Sequence, residues 1–205
     1  MRKKDAIDPR RRTFITRVVP ACALTCFAAK NLFALTQAEA GAQEAAHPFD
    51  ATLKRQLTYR QYYANQFRGF IDLAVAIEEE WGRERTVDFI KKMTTERMTQ
   101  YGKRHAERVS DNSFEAYVQQ FRSGYENTLT KEVVEDTGTV FELKVTGCIW
   151  ADTFLGADAG HIGYAAVCWG DYAWASSFNE NITMVRDKTL MQSHDCCNHR
   201  YLWKG

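Results

Sequence analysis

The chain has 205 residues, 45% of them hydrophobic and 26% charged, with 27 basic against 26 acidic side chains. That composition supports one globular domain with its own core and excludes a chain too polar to fold. Eight of the basic and three of the acidic residues fall in positions 1–40, so the remainder carries 19 against 23 and a formal charge of −4, which excludes the basic surface of a nucleic-acid-binding protein.

Arg2, Lys3, Lys4, Arg10, Arg11, Arg12 and Arg17 make the N-terminus basic, and Val18 to Ala29 (VVPACALTCFAA) is weakly apolar. Followed by the small-residue pattern Ala38-Glu39-Ala40, this order predicts a cleaved export signal over 1–40, a mature N-terminus at Gly41 and one domain over 41–205. RRTFIT at Arg11 to Thr16 resembles the twin-arginine export motif. The resemblance implies export in the folded state, the twin-arginine machinery as a partner, and a periplasmic or other extracytoplasmic location. The apolar run falls short of the roughly 20 residues of a spanning helix, and Lys30 interrupts it, so no stable transmembrane anchor is expected. Val19-Pro20-Ala21-Cys22 is an imperfect lipobox that leaves lipid attachment at Cys22 open. A basic arm for nucleic acid or anionic lipid is the weaker reading, since it needs no apolar run.

From Leu53 the residues Leu57, Tyr62, Tyr63, Phe67, Phe70, Ile71, Ala74, Val75 and Ile77 recur at helical spacing, and Gly82 is the expected terminator. A second helix is expected from about Glu84 through Val87, Ile90, Met93, Met98 and Tyr101. A third runs from about Ser113 to Asn127 on Phe114, Tyr117, Val118, Phe121 and Tyr125, with Asn112 or Ser110 as its cap. These aromatic stripes read as scaffold. After Thr130 the period changes: Val133, Val134 and Val140 to Thr146 around Asp136-Thr137-Gly138 predict two antiparallel strands about a turn. Trp150 to Phe178 is helical in spacing, Asn181 to Leu190 is a candidate strand, and His199 to Trp203 a last short one. Helices followed by a small antiparallel sheet with a helical excursion make an α+β domain.

Beyond the leader, Cys148, Cys168, Cys196 and Cys197 all lie in the last third. Outside the cytoplasm they could form two disulfides; reduced, they could be ligands or a nucleophile. No compact zinc, haem, nucleophile-elbow or dinucleotide motif is present, so a site must be gathered by the fold. A helix through Cys168 turns Asp171 to the same side, and a strand through Cys197 turns His199 to the same side. Cys168, Asp171, Cys197 and His199 could together ligate a metal, with zinc or iron as candidates, or form a nucleophilic arrangement oriented by Asp171 or Asp195. Alternation turns Cys196 away from Cys197. His161 stands at an element boundary, His105 reads as surface, and His194 as a loop residue.

The succession Cys148-Ile149-Trp150-Ala151, Val167-Cys168-Trp169-Gly170-Asp171, Arg186-Asp187-Lys188-Thr189-Leu190 and Asp195-Cys196-Cys197-Asn198-His199-Arg200-Tyr201 resembles the L-2-amino-thiazoline-4-carboxylic acid hydrolase family. Asn198 stands where a family aspartate is common, and Ser193-His194 replaces a glycine and an acidic residue. The resemblance implies hydrolytic opening of a cyclic amidine in a small substrate. It also implies Cys168 or Cys197 as nucleophile or ligand, Asp171 as base or orienting carboxylate, His199 as proton shuttle, and Arg186 or Arg200 as carboxylate anchor. Two other classes stay open: an exported metal- or haem-binding redox or sensor protein, and a disulfide-stapled accessory domain. Oligomerisation is open as well.

Overall fold

The computed structural model describes residues 56–205, which fall within the compact unit Arg55–Gly205. The export signal, its cleavage pattern and the Cys22 lipobox lie outside the described residues.

Helix α1 (Tyr59–Trp81) begins later than the apolar spacing suggests, because Thr58 and Gln61 form a reciprocal capping box that fixes its first turn. It stops at Gly82, as expected: φ is +81° there, a conformation that a side chain disfavours. Helix α2 (Arg83–Ala106) follows directly. Helix α3 (Phe114–Ser123) is capped by Ser113, whose hydroxyl accepts from the Ala116 amide, rather than by Asn112 or Ser110. It ends four residues short of Asn127, because the chain turns at Gly124 and Tyr125 takes a φ of 69°. The Lys131 ammonium then reaches back to the freed carbonyls of Phe121 and Gly124.

Strands β1 (Leu129–Asp136) and β2 (Val140–Cys148) pair antiparallel about the predicted turn. The chain then enters α4 (Ile149–Leu155), α5 (Gly160–Gly163), a π-helical segment Tyr164–Cys168, and α6 (Gly170–Phe178). Strand β3 is only Ile182–Val185, four residues of the ten expected, because Arg186 leaves the sheet for the interior. A short 3₁₀ turn, Leu190–Gln192, leads to β4 (Cys197–Trp203), which begins two residues before His199. The sheet order is β1-β2-β4-β3 with every neighbouring pair antiparallel, in keeping with the α+β expectation.

Alternation along the strands divides the sheet. Phe141, Leu143 and Val145 on β2, Ile182 and Met184 on β3 and Cys197 and Tyr201 on β4 face inward, against Phe114, Tyr117, Val118 and Phe121 of α3 and Trp174, Ala175 and Phe178 of α6. The other face is polar, with Arg200 bound to Glu135 and Glu142, and Lys144 to Glu132. A second apolar cluster joins Ile71 and Ala74 of α1, Ile90 of α2, Ala151 and Phe154 of α4, Ile162 of α5 and Ala165 and Cys168 of the π segment. The predicted stripe of α3 is thus core, whereas those of α1 and α2 are core only in part: Ile71, Ala74 and Ile90 are buried, but Tyr62, Phe70, Val75, Met93 and Tyr101 are exposed. Helices α2 and α6 meet closely at Gly102, where an added Cβ would lie 2.8 Å from the Trp174 carbonyl and 2.1 Å from Ser177 Oγ. Among the described residues, no helix is long and apolar enough to cross a membrane.

Candidate active site

Cys148 and Leu190 pack against both clusters, and between the clusters lies a cavity of about 280 Å³. That is close to the smaller ligand pockets, about 300 Å³, and suits a small molecule. Its walls are mostly apolar and aromatic, including Phe67, Phe121, Leu143, Trp150, Trp174 and Tyr201. The polar side chains that converge on it are Cys148, Cys168, Asp171, Arg186, Thr189, Cys197 and His199, with Arg97 at its edge.

Each arrives by a local rule. Cys148 closes β2 and precedes the first turn of α4, beside the Trp150 and Ala151 amides. Cys168 ends the π-helical segment and Asp171 opens α6, so the helical turn delivers both to one wall. Such π turns recur at functional sites because the extra residue redirects side chains and backbone groups. Cys197, His199 and Tyr201 alternate along β4 onto the cavity side, and Cys196 faces away from it, as strand geometry requires. Asn198, on the outer side of β4, accepts from the Asp187 and Lys188 amides at 3.2 and 2.8 Å, fixing the loop that carries Arg186 and Thr189.

The charged centre is one buried pair. Arg186 Nη1 donates to Asp171 Oδ2 at 2.8 Å, and Nη2 donates to the Cys168 carbonyl at 2.5 Å. The guanidinium lies near the Tyr164 and Tyr172 rings, 5.9 and 5.2 Å from their centroids, and its side chain is 1% exposed. Asp171 lines the cavity and keeps 23% side-chain exposure. Burial raises the Asp171 pKa above the ordinary carboxylate value despite the opposing pull of Arg186.

Arg186 Nη1 also lies 3.4 Å from His199 Nε2. A guanidinium only donates, so Nε2 is the acceptor and the ring carries its proton on Nδ1. Burial, with the Arg186 charge adding to it, pushes the His199 pKa down to about 3. His199 is therefore a neutral imidazole near neutral pH, which removes the cationic donor a proton shuttle needs.

The thiols form a hydrogen-bonded chain. The Leu190 amide donates to Cys197 Sγ at 3.2 Å, the Cys197 thiol donates to Thr189 Oγ1 at 3.6 Å, and Thr189 Oγ1 is 3.9 Å from Cys168 Sγ. Burial pushes the Cys168 thiol up to about 12 and the Cys148 thiol up to about 11. Both are protonated near neutral pH, the reverse of an activated thiolate. Cys148, Cys168, Cys196 and Cys197 are all free thiols, so among the described residues no disulfide joins them. Among the described residues, no group of three or more His, Cys, Asp or Glu side chains is arranged to hold a metal ion, so the expected metal set of Cys168, Asp171, Cys197 and His199 shares a cavity without forming a coordination cluster.

Two expected site residues stand elsewhere. Asp195 is on the surface, its side chain 72% exposed and paired with Lys188. Arg200 projects from the outer face of the sheet to Glu135 and Glu142. His161 binds Glu78 of α1 at 2.5 Å, and His194 Nδ1 accepts from the Thr189 amide at 3.0 Å. His105 is not simply surface: Trp174 Nε1 donates to its Nδ1 at 3.3 Å, and it packs against Phe178. Sequence reasoning missed Arg97, and it met Thr189 only as part of the family-like segment Arg186 to Leu190, without a role at the site.

Among curated proteins, none matches the chain. The model of the L-2-amino-thiazoline-4-carboxylic acid hydrolase family matches residues 59–201, nearly the whole of the described fold and including every cavity residue named above. The chain belongs to the L-2-amino-thiazoline-4-carboxylic acid hydrolase family.

Proposed function

We propose that this protein hydrolyses a cyclic amidine in a small thiazoline carboxylate, with Asp171 as the base that activates water. The observation that carries the reading is a carboxylate with a raised pKa on the wall of a small, mainly apolar cavity, held in place by a buried arginine. Such tuning brings a carboxylate closer to the pKa at which it can both take and return a proton.

In this reading Asp171 removes a proton from water as its oxygen adds to the ring carbon between nitrogen and sulfur. The resulting tetrahedral centre collapses with cleavage of the bond from that carbon to the ring nitrogen. Asp171 returns that proton to the ring nitrogen and then relays the hydroxyl proton to it as the carbonyl forms, so the nitrogen leaves as an amine and the product is an S-carbamoyl amino acid containing every atom of substrate plus one water. Arg186 orients the carboxylate, and neutral His199 accepts from Arg186. Both are positioning residues. Cys148 and Cys168 enter as protonated thiols that give a polarisable lining for the ring sulfur.

Asp171→Asn is the test. It keeps the side-chain shape and is expected to lower kcat by about a hundredfold or more, with the protein still folded by circular dichroism. For the wild type, kcat/KM should fall as acid protonates Asp171, with a midpoint above the ordinary aspartate value. Full activity in Asp171→Asn would refute the assignment.

A second reading rests on Cys197, whose sulfur accepts the Leu190 amide at 3.2 Å. It would attack the same carbon and form a covalent adduct, detectable by intact mass after rapid quenching. For location, we propose export through the Arg11-Arg12 signal, supported by the apolar run and small residues after it. Replacing both arginines by lysine should leave the chain in the cytoplasm; unchanged export would refute that route.

A further inference from the structure

We infer that Arg97 is the residue that recognises the substrate's carboxylate, and that it makes the site selective for monoanions. The inference rests on the thiazoline-carboxylate reading above for the identity of the substrate. Arg97 itself is argued from geometry and charge.

The two arginines expected to serve as anchors are both occupied. Arg186 is 1% exposed and spends both terminal nitrogens on Asp171, His199 and the Cys168 carbonyl, leaving only its buried Nε without a hydrogen-bond partner. Arg200 is on the other face of the sheet. Arg97, on α2, is the one cavity-lining residue that is exposed, which puts it where the cavity meets solvent.

Its guanidinium has no ion pair, hydrogen bond or ring contact among the described residues. The helix explains why. Three and four residues away lie Thr94, Met93, Gln100 and Tyr101, none of them acidic, so no neighbour on that face neutralises it. On the same helix Arg83 pairs with Glu78, Arg85 lies over Trp81 and Lys91 over Trp169.

The charge balance gives the ligand class. Asp171 and Arg186 cancel, His199 is neutral, and the Cys148 and Cys168 thiols are protonated. The cavity with its edge therefore carries one unbalanced positive charge, on Arg97. A small ligand with an apolar or sulfur-containing body inside and one carboxylate at the mouth satisfies that arrangement. A neutral ligand leaves Arg97 unused, and a dianion would bring a second charge against apolar walls. Arginine also offers the paired donors that match a carboxylate.

The test uses binding, separately from turnover. Trp150 and Trp174 line the cavity, so ligand entry is readable by quenching of their fluorescence. The probes are 2-amino-thiazoline-4-carboxylate and thiazolidine-4-carboxylate, each beside its uncharged carboxamide. Wild type should prefer each carboxylate, and Arg97→Gln should weaken the carboxylates by about ten- to a hundredfold while leaving the carboxamides nearly unchanged. Arg97→Lys should restore part of the preference. If hydrolysis is measurable, Arg97→Gln should raise KM with kcat little altered.

Absence of any carboxylate preference in the wild type, or equal losses for carboxylate and carboxamide in Arg97→Gln, would overturn the inference. Failure of the wild type to hydrolyse the thiazoline, with the carboxylate preference intact and lost in Arg97→Gln, would overturn the reaction and uphold Arg97. Thermal unfolding of Arg97→Gln should match wild type, since the side chain makes no contact that folding depends on.

Discussion

Acidification from pH 7 to pH 4 is expected to destabilise the wild-type protein more than a His199→Gln variant. Burial and the neighbouring Arg186 charge hold His199 at about 3, against 6.5 for an ordinary histidine. The unfolded chain takes up this proton below 6.5, whereas the folded chain resists it until about 3. Throughout that window the unfolded state binds more protons, so stability falls as the pH falls. At pH 4 about 2.5 units of the window have been crossed, and at about 1.36 kcal/mol per unit the loss is roughly 3 kcal/mol.

Asp171 acts in the opposite direction, because its raised folded pKa makes the folded state the better proton acceptor as the pH falls. That contribution is common to both proteins. Glutamine is the chosen replacement because its carbonyl can accept from Arg186 as His199 Nε2 does. Urea unfolding followed by far-UV circular dichroism at pH 7, 5.5 and 4 reads the difference. Equal losses in the two proteins would mean that His199 titrates near its ordinary value, and the neutral imidazole would be wrong.

Cys168→Ser is expected to keep hydrolysis within about tenfold of wild type, since a thiol held near 12 is not a thiolate near neutral pH; loss of turnover in a folded variant would return the thiol to the chemistry. Gly102→Ala should cost about 1–3 kcal/mol by overpacking, because the Trp174 carbonyl is backbone and cannot step aside. Chemical denaturation checks it, and an unchanged midpoint would mean that α2 and α6 separate freely.

The sequence carried the fold where a period was unbroken. The i, i+3, i+4 recurrence of Phe114, Tyr117, Val118 and Phe121 predicts the helix that covers the sheet, and alternation through Val140 to Thr146 predicts β2. Pairing Cys168 with Asp171 and Cys197 with His199 was legible for the same reason, since turn and pleat fix which side chains share a wall. What was not legible depends on contacts between distant segments. Nothing near Arg186 announces that it folds inward to Asp171, and nothing near Arg200 shows that Glu135 and Glu142 wait across the sheet. The candidate strand Asn181 to Leu190 exceeds the four residues of β3 because its second half satisfies its polar groups through Asn198, His194 and Cys197 rather than a ladder. Arg97 lay in a stretch whose spacing said only helix, and its place at a cavity edge exists only once α2 packs on the π segment and α6.

The buried pair of Asp171 and Arg186 is a poor device for stability alone, because removing two charges from water costs about what their attraction returns. Its value is in setting the protonation of a reactive carboxylate, and Arg186→Met separates the two roles. Without the guanidinium, the force that now lowers the Asp171 pKa is gone while burial remains, so the carboxyl is expected to hold its proton to higher pH. The acid limb of kcat/KM should then move toward alkaline pH, with activity near neutrality lost first and partly regained as the pH rises. Stability should suffer less than the roughly 3–5 kcal/mol of a broken buried pair, because the carboxyl escapes the unpaired charge by protonating. An Arg186→Met protein with lower activity but an unshifted pH profile would show that Arg186 acts only by shaping the wall, and that Asp171 is not the group whose ionisation the rate reports.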